Sequence, residues 1–443
     1  SVGDANVADG ATLTIDGSAL TTDDITVDLS AEANGLNVVK GGAGVDNITG
    51  SASDLGDTLE GNAGDDNFTF ATANLTAADT VSGGDGTDEL ILSDASTVVD
   101  ADFTNFTSVE TISHGNLNMT LTLGELAQAA GVVTVTNGSG TNNTTVGAGY
   151  TSDLSIAIAG TDIVNAASYV GNLTVSGDID LITAADTLTG GSGTGDVLSL
   201  SLDSNNDDAT AGQLANVSGF ETISFSNDDE VDITLHENNV SDGGSVTINA
   251  VNITTQVLTL TAANETDGSV TVIAAGSGAH QVTLGNGNDT YTSTSTGHDA
   301  VAATGGNNTI STGDGADEIT AGTGDDTING QNGDDVFVFA TANLNQNDTI
   351  NGGAGDDKLR MSNDAVVVDS DFTNVDSVKT LETVGDINLT ATLGSAAASA
   401  GIDTVTLTDS GAANTVTVGS GFTSSTLSVT ISTDATAGDS VVA

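Results

Sequence analysis

A chain of 443 residues with 62 acidic and only four basic side chains carries a formal net charge of −58, is 37% hydrophobic, and contains neither cysteine nor proline. The charge excludes nucleic acid as a direct partner, because phosphate contacts need basic side chains, and disfavours an anionic membrane surface. Without cysteine there is no disulfide framework and no thiolate metal site. The hydrophobic fraction argues for a folded chain, but like charge of this size resists compaction until cations neutralise it.

In chain order, residues 1–40 read as a β-rich lead-in. At Gly41–Thr49 (GGAGVDNIT) a nine-residue template begins: glycines at the first, second and fourth positions, aspartate at the sixth, a large apolar residue at the eighth. It recurs at Gly61–Thr69 (GNAGDDNFT), after a stretched unit at Gly50–Glu60 that carries Asp57, and at Gly83–Ile91 (GGDGTDELI). A trailing β-rich module contains Asp100–Asn105 (DADFTN), a short helical candidate at Leu123–Ala130 and the alternating strand Leu154–Ala159. A degenerate copy follows over 163–282, with Gly190–Val197 displacing Asp196 by one residue, and with alternating strands such as Val197–Leu202 and Val246–Ile253. Alternation of this kind marks half-buried strands.

The second array is the longer. Asp289 and Asp299 lead to Asn308, which stands where an aspartate is due. Three units then run without a break from Thr312 to Val338, and a further one at Gly352–Arg360 comes after a 22-residue step. A final module repeats the first: FTFATANL at Phe68–Leu75 returns as FVFATANL at Phe337–Leu344, an offset of 269 residues, and DSDFTN at Asp369–Asn374 precedes a second helical candidate at Ser395–Ala400. The organisation is therefore 1–40, 41–162, 163–282 and 283–443. Tandem nonapeptides are the pattern of a parallel β-helix. The expected fold is all-β: β-helical blocks joined by β-rich modules in an elongated repeat architecture.

Each unit divides into a six-residue turn and a three-residue strand. The apolar residues Ile48, Phe68, Leu90, Ile319, Ile328, Phe337 and Leu359 are expected to point inward. Two units close one coil, so alternate turns stack about 4.8 Å apart. Two carboxylates at that spacing repel by roughly 3.5 kcal/mol at an effective dielectric of about 20. A hard dication between turns reverses the sign, and calcium accepts irregular cages of carboxylate and carbonyl oxygen. The candidate ligands are the side chains of Asp46, Asp57, Asp66, Asp88, Asp289, Asp299, Asp317, Asp326, Asp335 and Asp357, with the turns at Gly42, Gly44, Gly64, Gly84, Gly86, Gly315, Gly324, Gly333, Gly353 and Gly355. Several calcium ions are expected, with a weaker site at Asn308.

These motifs resemble the RTX family of secreted bacterial proteins, over residues 41–91 and 283–360. The resemblance implies a calcium-loaded parallel β-roll and export by a type I route, unfolded inside the cell and folding outside it. The remaining modules, Thr/Ala/Gly/Asn-rich and poor in lysine, are similar to bacterial surface-layer proteins. The expected function is an extracellular, calcium-binding structural protein that assembles into a surface layer or sheath. The partners are copies of itself and, as a lesser candidate, a cell-surface polysaccharide. The alternatives are a calcium-stiffened adhesin or stalk, or the non-catalytic part of a secreted enzyme. No catalytic constellation is expected: His236-Glu237 opens an H-E-x-x-H pattern, but position 240 is Val. No apolar run approaches the roughly 18 residues that span a membrane. The chain opens at Ser1 with no signal-peptide pattern, so a processed product or a fragment is expected.

Overall fold

The computed structural model describes residues 1–443 except 54, 96, 204–206, 409–412, 424–425 and 432–437. Two compact units emerge, one formed by 1–201 with 216–222, the other by 202–215 with 223–443. Within each unit the strands are short and every pairing is parallel among the described residues. A strand pairs with the strand one full coil further on, the arrangement of a β-solenoid.

In the first unit, Asn47–Thr49 pairs with Asn67–Phe70, which pairs with Glu89–Leu92, which pairs with Thr111–His114. On another face Thr12–Asp16, Leu36–Lys40, Thr58–Ala63 and Thr80–Asp85 form a second row. In the second unit Ala300–Ala302, Glu318–Thr320, Val336–Phe339, Lys358–Met361 and Thr380–Val384 follow one another in register. The facing row runs Thr290–Ser293, Thr309–Ser311, Thr327–Asn329 and Thr349–Asn351.

Coil length follows the sequence. Val301 stands opposite Ile319, and Ile319 opposite Phe337, so each coil of the tandem array takes 18 residues, two nonapeptides. Phe337 then stands opposite Leu359, the 22-residue step. Pairing continues across 40, 162 and 282, so the β-rich modules are further coils of the same kind.

The core is a set of apolar columns along the coils. Ile48, Phe68 and Leu90 share one column, while Ile319, Phe337 and Leu359 share another and Ile328 sits in the facing column; all are buried. Strand residues alternate between buried and more open positions, so Ile and Phe point inward while Thr, Asn and the outer Val residues lie on the open face. Proline would remove a ladder donor in such a strand, and the chain has none.

The two helical candidates form as Glu125–Ala130 and Ser395–Ala400. Their placement explains the repeated DxDFTN element. Asp100 Oδ1 accepts the N–H groups of Gly124 and Ala127 at 2.8 and 2.9 Å, and Asp369 Oδ1 does the same for Gly394 and Ala397. Each element therefore caps the helical turn one coil later. Phe103 and Phe372 anchor these corners in the core, and Phe103 meets Phe106 edge to face at 5.7 Å. Among the described residues no helix is long and apolar enough to cross a membrane.

Candidate metal centre

The sixth-position aspartates line up in rows at the corners of each solenoid. In the second unit one row is Asp299, Asp317, Asp335 and Asp357. Each Oδ1 accepts the backbone N–H of the residue one coil earlier: Asp317 from Asp299 at 2.7 Å, Asp335 from Asp317 and Asp357 from Asp335 at 2.9 Å. The facing corner carries Asp289, Asn308, Asp326 and Asp348, joined in the same way. In the first unit Asp46, Asp66 and Asp88 form a row that ends on Glu110. The strand after each turn fixes this geometry, because its parallel register places successive carboxylates above one another.

The second carboxylate oxygen separates two classes. In Asp66, Asp88, Asp289, Asp317, Asp326, Asp335 and Asp357 the Oδ2 atom is buried and has no hydrogen-bond partner. A buried carboxylate oxygen left without a partner is costly. In the other three candidates the protein supplies partners. Asp46 Oδ2 takes the Gly42 N–H at 2.6 Å, Asp57 Oδ2 takes the Ser51 N–H at 2.7 Å, and Asp299 Oδ2 takes the Tyr291 hydroxyl at 2.9 Å.

The glycine turns bring carbonyl oxygens to the same place. A Cβ built on Gly330 would collide with Asp335 Oδ2 and lie 2.8 Å from the Gly352 carbonyl oxygen. Only a residue without a side chain leaves that cradle open. Gly64, Gly84, Gly86, Gly315, Gly324, Gly333, Gly353 and Gly355 have positive φ, whereas Gly42 and Gly44 do not. At Gly333, with φ of 140°, a Cβ would strike the Gly315 carbonyl one coil earlier, so both the dihedral and the stacking demand glycine.

Electrostatics point the same way. Burial pushes the carboxyls of Asp88 and Asp317 up to about 6 and that of Asp335 up to about 7. Neighbouring acids of the row add to the effect: Asp66 and Glu110 on Asp88, Asp317 and Asp357 on Asp335. The chain offers little to offset this charge: Lys379 lowers the carboxyl of Asp357 and His298 that of Asp317, against the larger effect of burial. Lys40 is paired with Glu60, Arg360 with Glu382 and Glu318, Lys358 with Glu382, and Lys379 with Asp356. The donor set at the glycine corners is carboxylate and carbonyl oxygen, which fits calcium with its six to eight oxygen ligands. It does not fit zinc, which prefers nitrogen and sulfur.

A family model of the RTX calcium-binding nonapeptide repeat matches four segments: 76–94, 293–324, 302–337 and 344–360. The chain carries RTX calcium-binding nonapeptide repeats. Such repeats bind calcium, several ions along the row. The matched segments contain Asp88, Asp299, Asp317, Asp326, Asp335 and Asp357. The units at 41–49 and 61–69 lie outside them but repeat the same N–H to carboxylate ladder. Comparison with curated proteins and with solved structures finds no match.

Asn308 illustrates what an RTX corner does without its acid. Its Nδ2 donates to the Gly305 and Gly306 carbonyls at 3.1 and 3.2 Å and to Asp326 Oδ1 at 3.1 Å. The amide thus occupies carbonyls that a cation needs. Asn308→Asp is expected to add one calcium ion to the titrated stoichiometry. It should stabilise the protein by about 2.7 kcal/mol at calcium 100 times Kd, and destabilise it in chelator, where the new charge only repels its neighbours. Unchanged stoichiometry would remove Asn308 from the calcium row.

Several acids of the ladders have no GGxG turn before them. Asp79 accepts the Asp57 N–H at 2.8 Å and Asp348 the Asp326 N–H at 2.9 Å. Their Oδ2 atoms take the N–H three residues back, from Thr76 and Asn345, both at 2.8 Å. Asp186 does the same with Thr183 at 2.6 Å. Asp196 does follow a glycine turn, GGSG at 190–193, with one residue inserted, and still holds the Leu173 N–H at 2.7 Å and the Gly191 N–H at 2.6 Å. For Asp79 and Asp348 the readable signal is a T/N-x-x-D corner one coil after a repeat aspartate.

Proposed function

We propose that this chain is a calcium-dependent structural protein of the bacterial cell exterior. It is exported unfolded by a type I route, folds where calcium is plentiful, and associates with further copies into a surface layer or sheath. The observation that carries this reading is the row of buried aspartates whose second oxygen has no partner within the chain. A fold built this way needs a dication, and calcium at extracellular concentrations of about 10⁻⁴–10⁻³ M suits modules of this class. The exterior is acidic too, so copies repel until the same ion screens or bridges them.

We read the chain as non-catalytic. His114 and His280 have both ring nitrogens in structural contacts, and His236 has one. His114 lies against the Gly115 carbonyl and Asn137 Oδ1, His280 accepts the Leu258 N–H, and His236 Nδ1 accepts the Asn238 N–H at 3.1 Å. The incomplete H-E-x-x-H pattern is thereby accounted for as a turn cap.

Assembly is the decisive experiment. Chelated monomer returned to millimolar calcium is expected to form sheets or filaments, visible by electron microscopy and as pelletable material. A stable monomer that binds surface polysaccharide instead would replace this reading with the adhesin.

A further inference from the structure

Three acids meet at a corner of the second unit outside the nonapeptide arrays. The strands Val231–Thr234 and Leu258–Thr261 pair in parallel, with Thr234 opposite Thr261. The chain leaving the first strand reaches Glu237, and the chain leaving the second reaches Glu265 and Asp267, so the three come round the same corner on successive coils. Each offers a carboxylate oxygen, and these atoms lie within 4.8 Å of one another.

Glu265 is fully buried. Its Oε1 accepts the Gly268 N–H at 2.9 Å, and its Oε2 has no partner. A second such hook stands at Glu32, and the comparison is informative. In Glu32-x-x-Gly35-x-Asn37 the glutamate again accepts the glycine N–H at 2.9 Å, but its Oε2 receives Asn37 Nδ2 at 3.1 Å. That amide also reaches Asp57 on the next coil at 3.0 Å. In Glu265-x-x-Gly268-x-Val270 the amide is replaced by valine, with Asp289 on the next coil. The first corner neutralises its buried carboxylate from within. The second has lost that donor and has gained two further carboxylates.

Like charges gathered around a buried, half-satisfied carboxylate need a counter-ion. Burial, with Glu237 and Asp267 adding to it, raises the Glu265 carboxyl above its usual range. The surrounding donors are oxygens. The Thr266 hydroxyl donates to Glu237 Oε1 at 2.6 Å, while the neighbouring His236 Nδ1 is already used as a cap. Oxygen donors, three charges and an irregular corner are the requirements of calcium.

We propose that Glu237, Glu265 and Asp267 hold one calcium ion outside the RTX repeats. The ion clamps two successive coils upstream of the long array. Loss of this clamp leaves the repeat ions in place, so its contribution is separable from theirs.

The test counts calcium ions on the full chain by native mass spectrometry at a fixed free calcium concentration. E237Q/D267N removes both outer carboxylates without touching the core, and E265Q neutralises the buried carboxylate in place. Each is expected to retain one ion fewer than the wild type, with unchanged β-signal in calcium. A wild-type count in the double variant overturns the proposal. Should the double variant fail to fold in calcium, E265Q decides, and a wild-type count there overturns it equally.

Discussion

Removing calcium at neutral pH is expected to abolish the β-signal in circular dichroism and to expand the chain to the hydrodynamic radius of an unfolded polymer. Seven repeat aspartates bury an oxygen that no protein group satisfies, and their spacing along the corner is one coil. At roughly 3.5 kcal/mol per adjacent pair, at an effective dielectric of about 20, two or three pairs equal the whole stability of a typical domain, about 5–15 kcal/mol. Bound calcium turns each such liability into a gain of about 2.7 kcal/mol at 100 times Kd. The chain has only four basic side chains, each already paired, too few to neutralise rows of buried carboxylates in place of the ion. The effect should be reversible on adding calcium back. A chelated protein that keeps its radius and β-signal would show that the corners tolerate their charge, and the calcium-gated fold would be abandoned.

Much of this was readable from spacing alone. The 18-residue coil follows from two nonapeptides, and the inward column Ile319–Phe337–Leu359 follows from the eighth position of each unit. The 22-residue steps were visible as a repeated excursion, and the short helices at Glu125–Ala130 and Ser395–Ala400 were visible as equivalent places in two copies. Other features were hidden because a corner acid has two oxygens and the motif speaks for only one. Asp46, Asp57 and Asp299 carry the motif position but satisfy both oxygens within the protein. Asp79 and Asp348 lack the glycine turn yet continue the same ladders. The partner of Asp299 is Tyr291, eight residues earlier at the facing position of the coil, and no local pattern announces it. The cluster at Glu265 was invisible for a similar reason. Its members lie on two coils, and its orphaned oxygen arises from a valine where the related corner has asparagine.

The metal-free chain is expected to regain structure in mild acid, the reverse of ordinary acid denaturation. Burial raises the folded-state carboxyls of Asp88, Asp317 and Asp348 to about 6 and that of Asp335 to about 7, from an ordinary value of 3.8. A group whose pKa is higher in the folded state binds more protons there. Its protonation therefore favours folding, fully so below the unfolded value, and the benefit is lost as pH rises through 6 to 7. Chelated protein should accordingly show more β-signal and a higher Tm at pH 5 than at pH 8. With calcium bound the sign inverts. Protons now compete with the ion for the same oxygens, so apparent affinity should weaken as pH falls through the same window. The two thermal profiles, measured side by side in chelator and in saturating calcium, should therefore slope in opposite directions between pH 5 and pH 8. A chelated protein most stable at pH 8 would mean that its repeat carboxylates are neither desolvated nor crowded, and the physical basis for calcium in these corners would be lost.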